Sequence, residues 1–307
     1  MSLSINTNNS AMVALESLNA TTNELDSTEN TVSTGQKVST AADNPASYAI
    51  AQSMNGNISG LSAVSDGLSF AAQVVSTTTS ATSSIISTLQ LIQAAVTSVG
   101  QTGIDTATVG QEVEGYLDQI NTFARNATMN GVNLLDGSGD VSTATGKSVT
   151  NTLQYVTGLQ GSTQTVSSVT TTGAITDALN LTSGLASGGS VTAATSMYSS
   201  LSTVFKTGAT TPSSSDLQAM IQTVQSAITT MTNYASKFGA ATNTISGMST
   251  YSANLSDSLT SGVGALTDAD MAAESAKLTS LQTKQSLAIS SLSVAKSSSQ
   301  NILTLFR

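Results

Sequence analysis

Apolar residues recur along this chain on a beat of seven, and the beat divides it into helices. Leu61, Leu68, Val75, Thr82, Leu89 and Val96 form one such series, interleaved with Val64, Ala71, Thr78, Ile85, Ile92 and Val99. A heptad run with so few polar interruptions signals helix packed on helix. Asn44-Pro45 is a start signal, with Asn as cap and Pro at the first helical position. Gly100 and Gly103 end the run. A helix from Pro45 to Val99 is roughly 80 Å long at 1.5 Å per residue, far above the mean of about 11–12 residues. Gly56 and Gly60 inside it suggest a close helix approach. A second series runs Leu217, Val224, Met231, Phe238, Ile245, Ser252, Leu259, Leu266, interleaved with Met220, Ala227, Tyr234, Ala241, Met248 and Leu255, behind a cap at Asp216. Two long helices far apart in sequence, each needing a partner, pack most simply antiparallel. Leu61, Leu68, Leu89, Val224, Phe238 and Ile245 are the expected packing residues.

The two ends carry thinner stripes. In residues 1–36, Ala11, Leu18, Leu25 and Val32 recur every seven, with Met12 and Leu15 beside them and Gly35 as a stop. Thr22 and Glu29 take seam positions in this reading, so the helix is weak alone. After Gly262 and Gly264, read as a hinge, residues 266–307 contain no Gly and no Pro. Thr267 or Asp268 can cap this last helix, and Glu274 sits in an early turn where negative charge is favoured. Its stripe is Met271, Leu278, Leu281, Ala288, Leu292, Ala295, Ile302 and Phe306, and it closes on the apolar cluster Ile302, Leu303, Leu305 and Phe306. An apolar helix of this kind needs a partner to bury it. The candidate assembly residues are Leu15, Leu18, Leu25, Val32, Leu278, Leu281, Leu292, Ile302, Leu303 and Phe306.

Between these parts the pattern is mixed. Residues 105–127 read as a shorter helix with Val109, Val113, Tyr116, Ile120, Phe123 and Ala127 on one side. Asn130 to Gly137 is a turn, a short apolar run and another turn. Ser148–Val156 and Gln164–Thr171 are Thr- and Val-rich with partial alternation, as in a β-hairpin. Val191, Ala194, Tyr198, Leu201 and Phe205 have helical spacing, and Ser187–Gly189 and Thr207–Ser215 read as loops.

Composition narrows the chemistry. The 307 residues include no Cys, no His and no Trp. That removes disulfides, thiolate metal sites, cysteine nucleophiles, Ser-His-acid triads and the HExxH zinc motif. Acidic clusters such as Asp268 with Asp270, or Glu112 with Glu114, read as helix-start or solvated-face charges. Charged residues are 9% of the chain, against about 25% in ordinary domains, and Ser, Thr, Asn and Gln replace them. The net charge of −9 argues against nucleic acid as a partner. No run approaches the roughly 18 apolar residues of a membrane span. MSLSINTNNS lacks the basic and apolar regions of a cleavable secretory signal, so export would need another route. The ends differ in sign: residues 1–36 carry Glu16, Glu24, Asp26 and Glu29 and no Lys or Arg, and residues 275–307 carry Lys277, Lys284, Lys296 and Arg307 and no Asp or Glu. These read either as two solvated faces or as helices packed side by side, within or between subunits.

Several segments resemble bacterial flagellins. At the C-terminus these are Asp268-Ala269-Asp270-Met271-Ala272, Glu274, Leu278-Thr279, Gln300-Asn301-Ile302-Leu303 and Leu305-Phe306-Arg307. At the N-terminus they are Ser4-Ile5-Asn6-Thr7-Asn8, Ser33-Thr34-Gly35 and Ala41-Ala42-Asp43-Asn44-Pro45-Ala46, with Asn130 to Gly137 closing the conserved region. The chain departs from many members at Gln36–Ser39, which keeps one basic residue. It departs again at Leu91, Gln93 and Ala94, where many have basic residues and a Glu in a segment bound by an animal Toll-like receptor.

The resemblance and the pattern agree on a mainly α fold: a long antiparallel coiled-coil-like bundle with a small β-hairpin or variable module at the middle of the chain. The expected division is 1–36 and 265–307 for an inner-tube helical domain, 37–140 and 213–264 for a long-helix core, and 141–212 for a surface module. The resemblance implies a structural subunit of the extracellular filament used for swimming, a homopolymer exported by the flagellar type III apparatus. It implies no enzyme activity and no cofactor. It further implies an export chaperone, the filament cap and hook-junction proteins as partners, with weak or no Toll-like receptor recognition. A hook–filament junction protein shares both terminal signatures. A secreted coiled-coil adhesin explains the heptads but not Asn130–Gly137.

Overall fold

The computed structural model describes residues 8–136, 150–169, 174–182 and 214–305, without side chains beyond 297. The elements in chain order are α1 (Asn9–Thr34), α2 (Pro45–Ser98), α3 (Thr106–Asn126), β1 (Thr152–Val156), β2 (Thr163–Ser167), α4 (Ile175–Ala178), α5 (Ser214–Thr267) and α6 (Met271–Leu305). The fold is mainly helical, and the sheet among the described residues is the antiparallel β1–β2 hairpin. Two compact units can be distinguished, residues 1–59 with 256–307, and residues 60–255. The division falls inside α2 and α5, which each contribute to both.

The second unit is built on the heptad seams of α2 and α5. Leu68, Ala71, Val75, Ile85, Leu89, Ile92 and Val96 of α2 join Met220, Val224, Met231, Phe238 and Ile245 of α5 in one buried cluster, with Val113, Leu117 and Ile120 of α3. Thr78 and Thr82 occupy seam positions and are fully buried. Their hydroxyls donate to the carbonyls of Val74 and Thr78, both at 2.8 Å. The helix thus satisfies its own buried hydroxyls and the seam stays closed. With nearly all of its polar residues uncharged, α2 is long and apolar enough by composition to cross a membrane, at a mean hydropathy of 1.2 over eighteen residues. Its apolar stripe is the one that faces α3 and α5.

The segment after α3 is held by one side chain. Met129 and Val132 exchange backbone hydrogen bonds of 2.9 Å around Asn130 and Gly131, whose φ values are +47° and +81°. Positive φ at both central residues is the pattern of a type I′ turn, which favours Asn-Gly. Buried Asn133 then donates to the carbonyl of Ala124 at 2.7 Å and to the Thr128 hydroxyl at 2.9 Å. Its amide oxygen accepts from the N–H groups of Leu135 and Asp136 at 2.8 and 3.0 Å. Asn133 thereby fastens the end of α3 to the chain that carries Leu134 and Leu135 into the core. Val169 N–H donates to the Leu134 carbonyl at 2.8 Å, which brings the hairpin alongside. On β1, Leu153 and Tyr155 point inward, as the alternation requires.

Several local expectations change. Gly56 faces open space, and Gly60 lies under Leu159 of the hairpin turn, where an added Cβ would stand 2.6 Å from Leu159 Cδ2. Gly60 thus marks a hairpin contact, and neither glycine marks a helix crossing. The start of α5 is Ser214, so Asp216 lies in its first turn and not at its cap. The same helix runs through Gly262 and Gly264 to Thr267, so those glycines form no hinge. The short α4, which seats Ile175 in the core, carries no sequence signal of its own. Val191–Phe205, Ser187–Gly189 and residues 207–213 lie outside the described residues.

Asn133→Ala is expected to lower the urea midpoint of the monomer, by roughly 1–3 kcal/mol for each buried partner left unsatisfied. Thr78→Val is expected to leave the midpoint near wild type, because the Val74 carbonyl loses only a second, local donor.

Candidate assembly surface

The two ends of the chain meet as an antiparallel helix pair, α1 against α6, within the first unit. Asn8 sets one end of it. Its side-chain oxygen caps α1 by accepting from Ala11 N–H at 3.1 Å, and its Nδ2 donates to the Ala295 carbonyl at 2.8 Å. At the other end Gly35, with φ +71°, closes α1 through its N–H to Thr31. This left-handed position is one where glycine is favoured.

The connectors that follow are bonded to each other. Lys37 and Val38 N–H both donate to the Thr267 carbonyl, at 2.7 and 3.3 Å, and Ala269 N–H donates to the Gly35 carbonyl at 3.0 Å. Asp270 caps α6, accepting from Ala272 and Ala273 N–H at 3.0 and 3.3 Å. The cap is therefore neither Thr267 nor Asp268: Thr267 is the buried last residue of α5, and Asp268 forms a β-bridge with Gln36. In the first connector, the Asp43 carboxylate accepts from the Thr40 and Ser39 N–H groups and hydroxyls, Thr40 N–H foremost, which holds it below the usual carboxylate range. This contribution is present above the ordinary carboxylate pKa and fades as pH falls through the lowered folded value. Asn44 caps α2 by accepting from Ser47 N–H at 3.1 Å.

The inward-facing positions alternate by threes and fours. On α1 they are Ala11, Ala14, Leu18, Thr21, Leu25, Thr28 and Val32. On α6 they are Glu274, Leu278, Leu281, Gln285, Ala288, Leu292 and Ala295, and every other described α6 side chain is exposed. Leu25 and Leu281, at 6% and 2% exposure, are the buried apolar side chains of the pair. Leu18, Val32, Leu278 and Leu292 are half-buried. The second seam position of α1 is thus Ala14, Thr21 and Thr28, with Thr22 half-buried beside Thr21, while Leu15 and Glu29 are exposed. Leu15 stands beside the seam at 48% exposure, and Met271 is exposed as well. Ile302 and Leu303 lie in α6 with side chains outside the description, and Phe306 lies outside the described residues. Leu61, Leu68, Leu89, Val224, Phe238 and Ile245, the expected core residues, are all buried.

The exposed side chains of the pair sort onto two edges. Each residue turns about 100° around a helix, so residues just before a seam position lie on one edge and residues just after it on the other. In an antiparallel pair like edges come together, and Glu24 and Lys277, each just before a seam leucine, form an ion pair of 3.4 Å. The first edge carries Val13, Leu287 and Val294 with Lys277 and Lys284. The second carries Met12, Leu15 and Ile289 with Asp26, Glu29 and Lys296. All six of these apolar side chains are exposed, and the register places them in the half of the pair nearer Asn8. A search for seams overlooks Val13, Leu287, Ile289 and Val294, since they interrupt the repeat. The available signal was an apolar residue directly flanking a seam position.

Two family models match the chain. The bacterial flagellin N-terminal helical region covers residues 5–140, and the bacterial flagellin C-terminal helical region covers residues 221–306. Flagellin C of Rhizobium meliloti is 34% identical over 319 residues, covering 99% of each chain. Flagellin of Brucella melitensis is 33% identical, again with 99% of each chain covered. Flagellin FljO of Caulobacter vibrioides is 32% identical, with 99% of this chain and 98% of its own covered.

Leu281→Ala is expected to destabilise the α1/α6 pair by roughly 2–5 kcal/mol, as for other buried leucines. Lys277→Ala is expected to cost roughly 0–1 kcal/mol, because the Lys277–Glu24 pair is 46% and 52% exposed. Hydrogen-exchange protection of the α1 amides in the assembled protein reports the difference.

Proposed function

The chain belongs to the bacterial flagellin family, and we propose that its α1/α6 pair is the element that drives polymerisation. As a flagellin the chain is a structural subunit that self-assembles into the extracellular flagellar filament, the organelle of swimming. The observation that carries the finer proposal is the mismatch between what the pair buries and what it exposes. Two leucines are buried in the seam, and six large apolar side chains stand on the edges. A buried leucine contributes roughly 1.5–3 kcal/mol, too little to fix helices of this length alone. Neighbouring copies that cover the edges complete the pair, so its folding is coupled to assembly. The contact is heterologous and propagates as an open helix of subunits.

The remaining parts follow from this reading. Residues 1–36 and 265–307 form the inner tube, 37–140 and 213–264 the long-helix core, and 141–212 the surface module. The export chaperone, the filament cap and the hook-junction proteins are the other partners, and the role is structural with no catalysis. Nothing favours a hook-junction role over that of filament subunit. Toll-like receptor recognition is weak or absent, because Leu91, at 50% exposure, and Ala94 present an uncharged surface on α2.

Electron microscopy after seeding tests the polymerising element. Long filaments are expected from the full-length chain and none from a version ending at Ala265; filaments from both would overturn the assignment. Leu292→Ala is expected to lower the heat stability of filaments, with a cost of roughly 2–5 kcal/mol if the site is buried on assembly. A receptor reporter assay is expected to show little response, and full activation would refute the reading of Leu91 and Ala94.

A further inference from the structure

The β1–β2 hairpin leaves one edge of β2 open. Thr157 N–H donates to the Ser162 carbonyl at 2.8 Å, and Ser168 N–H to the Asn151 carbonyl at 3.1 Å. With Leu153 opposite Val166 and Tyr155 opposite Gln164, the ladder uses the backbone of Gln164, Val166 and Ser168. Bonded and non-bonded pairs alternate in an antiparallel ladder, so the N–H and C=O groups of Thr165 and Ser167 point away from β1. They meet no partner among the described residues. On that side lies a cleft of about 350 Å³, lined by the run 165–168 and, on α5, by Tyr234, Lys237, Phe238 and Ala241. Four consecutive strand residues line a cleft with an edge, since a face presents only alternate ones. The cation of the cleft is held without an acid. Lys237 Nζ stands 4.8 Å from the centroid of the Tyr234 ring, and the Tyr234 hydroxyl donates to the Val169 carbonyl at 3.3 Å. Lys237 is exposed and pairs with no carboxylate among the described residues.

We propose that this cleft receives an extended, acidic peptide segment of another protein, which adds a third strand beside β2. An open strand edge supplies main-chain hydrogen bonds to an extended chain, and the pockets beside it choose the side chains. The run 165–168 offers about 10 Å of edge, three steps of roughly 3.3 Å. Side chains of the added strand alternate between the two faces. Phe238 and Ala241 give the inward ones an apolar floor, and Lys237 gives an outward carboxylate its partner. A helix or a compact ligand would leave the alternating donors and acceptors of Thr165 and Ser167 unanswered. Charge complementarity favours an acidic partner over a second copy. Two copies joined edge to edge about a two-fold axis present the same patch to each other, which sets one Lys237 toward the other. The cleft lies wholly within the second unit, so the site is independent of the terminal pair and of polymerisation.

The test is titration of the unseeded, full-length protein with the end-capped peptide Thr-Val-Glu-Val-Thr, followed through the amide resonances of Thr165 and Ser167. Saturable shifts of both are expected, with a dissociation constant of about 1 mM or below. Lys237→Gln is expected to weaken binding about tenfold, as is a peptide with Gln in place of Glu, and both losses are expected to narrow at high salt. Ser167→Pro removes an outward N–H and spares every bond of the ladder. It is expected to weaken binding about tenfold or more. Where that variant loses the fold, peptides N-methylated at alternate residues test the same bonds on wild type. One phase of methylation is expected to abolish binding and the other to retain it. Absence of saturable shifts in wild type overturns the proposal. So does a Ser167→Pro chain that binds like wild type, or a pair of methylated peptides that both bind like the parent. A peptide with Lys in place of Glu that binds as tightly overturns the acidic partner. Shifts of the same two amides on raising protein concentration alone also overturn it, and give the edge to a second copy. Filament growth is read in none of these arms, so the polymerising role of α1/α6 stands or falls separately.

Discussion

The interaction on which this architecture depends is a hydroxyl bonded to the carbonyl one helical turn back. Thr28, Thr78, Thr82, Thr242 and Thr267 each make it, at 2.8–3.0 Å. A helix more than fifty residues long normally keeps itself soluble with Lys and Glu. Here charged residues are 9% of the chain, and serine and threonine cover the helices instead. The back-bond lets a hydroxyl sit inside a seam without an orphaned donor, so the same residue type serves on both faces. Helices surfaced in this way can approach each other closely without mutual charge repulsion.

The heptad seams were legible because their spacing is a geometric property of the helix and needs no tertiary information. Leu61, Leu89, Val224 and Phe238 are where a period of seven places them. The misreadings arose where size was taken for burial. Leu15 is larger than Ala14 and looks like the better seam residue. Yet Ala14, Thr21 and Thr28 continue the three-four alternation with Leu18 and Leu25, and Glu29 would break it. Small residues at a seam let two helices lie close, which periodicity of hydrophobicity alone does not register. Likewise Asp270 caps α6 because Thr267 is held in α5 by its bond to Val263. That choice is made by the neighbouring helix.

What the sequence could not reveal were contacts between segments without a shared period. Gly60 lies under Leu159, and Asn133 bonds to Ala124, Thr128, Leu135 and Asp136. Local reading finds a turn at Asn130-Gly131 and stops there. That one amide joins the end of α3 to the core segment depends on geometry folded back over nine residues. The edges of the terminal pair belong to the same class. Their composition is on view in the sequence, but their pairing across two chain ends required the register set by Asn8 with Ala295 and Glu24 with Lys277.

The bonded connectors have a mechanical consequence. Gly35 to Val38 and Thr267 to Ala269 are tied by backbone hydrogen bonds, so the two strands of chain leaving the terminal pair are riveted together before they separate into α2 and α5. Torque delivered to one terminal helix is therefore shared between both long helices and is not carried by a single peptide link. The joint is backbone to backbone, with no long side chain to yield. Such a coupling resists sliding of one chain segment past the other.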